Sequence, residues 1–143
     1  MNIGVFGDSY AEKNNKETIW FQLLQDKYGH TVKSFGEAGS SINFSARLID
    51  HLANNYDLVI WCVTTPGRFS FQVDNCQHHV TTAWDKYTGP SVEIKKKHQT
   101  CIDYLKYVFD WEEENFVGYS VVSYITNKYK NVMIIPCFPP PLS

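Results

Sequence analysis

The chain has 143 residues, 43% of them hydrophobic, and its 13 Lys and Arg nearly balance 15 Asp and Glu. That length and apolar content fit one domain with a real core and exclude a disordered chain. Near-neutral charge leaves no footprint of a general nucleic-acid binder, and no apolar run reaches membrane length. Neither nucleic acid nor a membrane is an expected partner.

Ile3 to Phe6 reads as a first strand, short and apolar enough to be buried on both faces. It breaks at Gly7 and delivers Asp8 and Ser9. From Glu17 to Tyr28 the residues Ile19, Trp20, Leu23, Leu24 and Tyr28 recur at helical spacing, and Gly29 closes that helix. His30 to Phe35 alternates as a second strand, followed by the turn Gly36-Glu37-Ala38-Gly39-Ser40-Ser41. A second helix is expected over Ile42 to Asn54, with Phe44, Leu48, Ile49 and Leu52 along one stripe. Asp57 to Val63 is the clearest central strand, and Pro66 and Gly67 end it.

From Phe69 to Lys97 the pattern reads as an irregular insertion, longer than an ordinary connection. It holds Phe69, Phe71, Trp84 and Tyr87, with Asp74, Asp85, His78 and His79. Helical spacing returns with Ile102, Leu105, Val108 and Phe109, and again with Tyr119, Val122, Ile125 and Tyr129, as one kinked helix or two. His98 is expected at the opening of that segment, and Lys95-Lys96-Lys97 as a solvated loop or helix start. Asn131 to Cys137 forms the fourth strand. The alternation of strands and helices over short connections implies a single three-layer α/β domain, a doubly wound parallel sheet of about four strands ordered 2-1-3-4.

The cysteines Cys62, Cys76, Cys101 and Cys137 form no C-x-x-C pair, so no disulfide framework is suggested and a reducing compartment fits. The N-terminus runs into a strand without the features of a signal peptide. A cytoplasmic protein, or one assembled inside a cell, is the expectation. His78, His79, Asp74 and Cys76 do not meet the spacing of a known metal site, and no cofactor or metal is expected.

Ser9 stands where open α/β sheets place their chemistry, beyond the carboxyl end of the first strand. Its hydroxyl fits a nucleophile, a helix cap or a phosphate ligand. The Gly36–Ser41 turn precedes a helix N-terminus, which attracts anions, yet lacks the G-K-[ST] ending of a P-loop.

The strand with its Gly7-Asp8-Ser9 turn resembles block I of the SGNH (GDSL-type) hydrolases, and the second strand with Gly36-Glu37-Ala38-Gly39 resembles block II. The resemblance implies an SGNH/flavodoxin-like fold, with Ser9 as nucleophile and the N–H groups of Ser9 and Gly39 as oxyanion donors. Two departures follow. Where block III reads G-x-N-D, this chain reads Thr64-Thr65-Pro66-Gly67, leaving a threonine hydroxyl such as that of Thr65, or Arg68, as the third donor. Block V, D-x-x-H, has no counterpart in the eight residues after Ile135.

Without a base, a serine hydroxyl is a poor nucleophile near neutral pH. The candidate replacement is His78, with Asp74 four residues before it, brought over the site by the insertion. His30 is expected on the far side from Ser9, and His51 within a helix. The expected function is therefore a catalytically incomplete SGNH-like domain acting as a binding or assembly module, in a homo-oligomer or larger protein particle. The alternative is a serine esterase or acetylesterase, on a carbohydrate or other ester. It would use Ser9 with a histidine from the insertion or from another subunit.

Overall fold

The computed structural model describes residues 1–13, 20–81 and 91–137. In chain order its elements are β1 (Asn2–Gly7), α1 (Gln22–Tyr28), β2 (Thr31–Gly36), α2 (Ile42–Leu52) and β3 (Leu58–Val63). They are followed by β4 (Arg68–Val73), β5 (Cys76–Thr81), α3 (Val92–Tyr107), α4 (Trp111–Lys128) and β6 (Val132–Pro136). Four strands form a parallel sheet in the order β2-β1-β3-β6. This is the expected α/β arrangement, with β6 as the fourth parallel strand.

Alternation along the central strands sends side chains to opposite faces. Phe6, Val59 and Trp61 pack with Ile42, Ala46 and Ile49 of α2 and with Val122 and Ile125 of α4. Ile3, Val5, Ile60 and Cys62 face the other way, onto Ala11 of the turn after β1, Phe21 at the cap of α1 and Leu24 within that helix. Each large apolar side chain fully removed from water contributes ~1.5–3 kcal/mol. The two clusters thus hold β1 and β3 as the rigid centre from which the loops project. No described helix is long and apolar enough to cross a membrane.

The stretch expected to be irregular, 69–97, is regular in its described part. Arg68 to Val73 and Cys76 to Thr81 form an antiparallel hairpin, with Val73 opposite Cys76. Phe69, Phe71 and Val73 alternate with polar residues, a period of two that aromatic content obscured. Asp74 and Asn75, at φ 49° and 63°, supply the left-handed pair that a tight two-residue hairpin turn requires.

Helix α3 begins at Val92, ahead of the opening expected at His98, because Ser91 caps it by accepting from the N–H of Ile94. His98 therefore sits within the helix and is buried, not at its opening. Two helices, not one kinked helix, follow the hairpin. Asp110 starts the second by accepting from the N–H groups of Glu112 and Glu113 at 2.8 and 3.1 Å. Glu112, Glu113 and Glu114 then fall in its first turn, where the helix dipole favours negative charge. The expected start of the first helix at Glu17, with Ile19, lies outside the described residues, as do Trp84, Asp85 and Tyr87.

Candidate functional site

The turn after β1 is built around a buried acid. Gly7 adopts φ 144°, and a Cβ there would come within 2.5 Å of the Cys62 carbonyl oxygen, so only glycine lets the chain turn against β3. Asp8 is fully buried. Its Oδ1 accepts from the N–H of Tyr10 at 3.0 Å, and its Oδ2 accepts from Arg68 Nη1 at 2.8 Å. Burying a carboxylate is costly unless it is paired and hydrogen-bonded, and here both oxygens are engaged. The Gly7 carbonyl accepts from Ser40 Oγ at 2.9 Å and from the Glu37 N–H at 3.1 Å, tying this turn to the Gly36–Ser41 turn.

The hairpin lies over this edge of the sheet. Its Arg68–Ser70 side meets the first turn and α2, and Phe69 on the opposite side meets Tyr104 of α3, ring centroids 5.3 Å apart. Ser70 and His79 are cross-strand partners. Ser70 Oγ lies 2.8 Å from His79 Nδ1, and His79 Nε2 lies 2.9 Å from Glu37 Oε2. The Ser41 N–H donates to Ser70 Oγ at 3.1 Å, so the hydroxyl is anchored at the start of α2. Phe44 of α2 presents its ring to the imidazole in a T-shaped contact at 5.0 Å.

Ser70 opens onto a cavity of about 330 Å³ whose walls include Ser41, Asn43, Arg47, Arg68, Phe69, Phe109 and Glu114. A smaller cleft beside it brings in Thr65 and Pro66. Glu114 accepts from the Tyr104 hydroxyl at 2.7 Å, which pushes that phenol's pKa up. The rings of Tyr104, Phe109 and Trp111 continue outward in successive edge contacts of 6.4 and 4.9 Å. One rim of the cavity is thus aromatic, and the rest offers hydroxyl, amide, guanidinium and carboxylate groups.

No protein-family model matches the chain, and no curated protein matches it. A fold of this kind hosts many activities, so function lies in the chemistry of the site itself.

Ser9 is exposed at the end of the turn, and no described residue hydrogen-bonds to its hydroxyl. Gly39 has φ 78° in the neighbouring turn. His78 points away from His79 across the hairpin and stacks on Phe71, its Nε2 buried without a partner among the described residues. Asp74 sits at the hairpin tip. The structure joins neither of these to Ser9 by a hydrogen bond. His30 lies at the amino end of β2, stacked on Tyr28, and His51 in the last turn of α2.

Ser70, the role of Glu37 and the structural role of Arg68 escaped the sequence reading, which placed His79 in the insertion beside the candidate His78. The signal that finds them is the Asp74-Asn75 pair between two alternating runs, which sets Ser70 opposite His79. Beneath the turn, burial pushes the thiols of Cys62 and Cys137 up, and both lie close enough to Asp8 for its charge to add to that. Among the described residues no group of three or more His, Cys, Asp or Glu is placed to hold a metal ion.

Proposed function

We propose that this chain is an SGNH-like domain that works as a binding module, with the cavity at the carboxyl end of the sheet as its ligand site. The observation that supports this reading is the double role of Arg68. It closes the Gly7-Asp8-Ser9 turn through the buried carboxylate of Asp8 and lines the cavity. Around Ser9 the SGNH machinery is incomplete among the described residues, because no histidine reaches the hydroxyl. The cavity lined by Arg68 and Ser70 combines hydrogen-bonding side chains with aromatic rings, the composition that suits a hydroxyl-rich ligand such as a small saccharide or its acetyl ester.

Exposed Phe116 and Tyr119 on α4 support the assembly side of the same reading. Free thiols at all four cysteines support a reducing compartment.

Ligand-observed NMR with a panel of acetylated and free mono- and disaccharides tests the proposal. Saturation transfer that disappears in Arg47→Ala is the expected result. A panel with no transfer to the wild type, or transfer unaffected by Arg47→Ala, overturns the cavity as the site.

The second reading is a serine ester hydrolase with its base in the hairpin. One observation favours it: a hairpin histidine does hold a serine hydroxyl, though that hydroxyl belongs to Ser70 and not to Ser9.

A further inference from the structure

Ser70 differs from Ser9 in the respect that matters for nucleophilic chemistry, since an imidazole is bonded to it. Glu37 as a carboxylate accepts and does not donate, so His79 Nε2 carries the ring hydrogen at 2.9 Å and Nδ1 presents its lone pair. The Ser41 N–H already donates to Ser70 Oγ. The hydroxyl proton is therefore directed at Nδ1, 2.8 Å away. The His79 side chain is 9% exposed, which shields this bond from competing water, and the Phe44 ring restricts the imidazole's rotation. Ser70 itself reaches the cavity.

We propose that Ser70 is an acyl-accepting nucleophile, with His79 as its general base and Glu37 as the positioning residue, acting on a carboxylic ester bound in the cavity. The inference rests on reading that cavity as the ligand site and adds a reaction to it. Ser70 Oγ adds to the ester carbonyl carbon as its proton passes to His79 Nδ1, and Glu37 stabilises the imidazolium. The carbonyl electron pair moves onto oxygen. The amino end of α2 lines the cavity at its cap Ser41 and at Asn43. The N–H groups of Ser41 and Phe44 are engaged by Ser70 Oγ and Ser41 Oγ, and the dipole of that helix end favours the negative charge. The carbonyl re-forms as the alcohol leaves with the proton from Nδ1. Water, deprotonated by the same nitrogen, then releases the carboxylic acid and restores Ser70. One ester and one water give one acid and one alcohol.

The ring is used with Nδ1 toward the hydroxyl and Nε2 toward the carboxylate, the reverse of the commonest arrangement. The chemistry needs one accepting and one donating nitrogen, and either end of the ring meets that need.

A fluorophosphonate probe on the wild-type chain, read by intact mass and peptide mapping, tests this directly. The urea-unfolded chain sets the level for an unactivated serine. The expected result is a single adduct on Ser70, absent in Ser70→Ala and formed ~10²-fold more slowly or worse in His79→Ala, the loss typical of a general base. An adduct on Ser9, or labelling no faster than the unfolded chain, overturns the proposal.

Ring nitrogen NMR of the wild type supplies a readout that does not depend on any variant folding. At mildly alkaline pH, hydrogen on Nε2 and a bare Nδ1 are expected, and hydrogen on Nδ1 refutes the assignment. Glu37→Gln, whose amide oxygen still accepts, is expected to keep that tautomer while slowing labelling by roughly tenfold, the scale of one lost charge-assisted bond. Unchanged labelling there removes Glu37 from its positioning role. Labelling at Ser70 without saccharide binding refutes the ligand class and keeps the nucleophile. Saccharide binding without labelling does the reverse.

Discussion

The turn after β1 carries a serine next to a carboxylate, while the hairpin that lies over it brings another serine, through a histidine, to the Glu37 carboxylate of the neighbouring turn, and the two regions use these groups in opposite ways. In the turn the acid is buried, fully hydrogen-bonded and held by Arg68, while Ser9 points out with no described partner. At the hairpin the Ser70 hydroxyl is held and the acid, Glu37 from the turn after β2, is half exposed, with the His79 imidazole linking them. A carboxylate spent on a guanidinium and a backbone N–H stabilises a loop. A carboxylate at the far side of an imidazole orients a base. The residue types are alike, and their connection decides the chemistry.

The comparison breaks most visibly at Arg68. Arg68→Ala leaves the Asp8 carboxylate buried without its cation, and urea unfolding is expected to show a loss of about 3–5 kcal/mol. A loss under 1 kcal/mol would mean that water or another group takes over the carboxylate, and that the turn is less fixed than its geometry indicates.

Gly7→Ala comes next, at about 2–4 kcal/mol by the same measurement, since it combines backbone strain with overpacking. The added Cβ meets the Cys62 carbonyl oxygen at 2.5 Å while φ stays at 144°. This variant damages the turn from β1 without touching the hairpin.

Asn75→Val acts on the other region alone. A β-branched residue at φ 63° costs ~1–2 kcal/mol, and it loosens the register that sets Ser70 opposite His79. Fluorophosphonate labelling of Ser70 is expected to fall in this variant while the fold, judged by circular dichroism, persists. Labelling at the wild-type rate would show that the hairpin turn does not set the site.

Ser9→Ala gives the smallest effect. An exposed hydroxyl without a described partner is expected to change stability by less than ~0.5 kcal/mol. A larger loss would uncover a capping role and bring the two serines closer in function than their surroundings indicate.

Much of the architecture was legible in the chain itself. The runs Ile3–Phe6 and Leu58–Val63 carry no charged or polar side chain, as suits strands buried on both faces, and the helical stripe of Phe44, Leu48 and Ile49 needs no partner to be recognised. The site was legible only in part. Gly7-Asp8-Ser9 announces a turn at the sheet edge, yet nothing local says that Asp8 will be claimed by an arginine sixty positions later. The two adjacent histidines are expected to point apart, with His78 as the candidate base, but a stretch read as a loop does not say where each one faces. Once they lie on a strand, neighbours point to opposite sides, so His78 stacks on Phe71 and His79 reaches Glu37.

Local sequence thus determined the four strands of the sheet, the helix α2 between them, where the first turn falls and that the sheet is parallel, because periodicity, glycines and short connections act over a few residues; the hairpin strands and the start of α3 lay beyond it. Tertiary structure alone decided that Arg68 closes the β1 turn, and that Ser70, His79 and Glu37 meet. These contacts span 9 to 60 positions of sequence. They exist because the hairpin folds down onto the carboxyl end of the sheet, a placement set by packing between α3 and the start of α2 that no short stretch encodes.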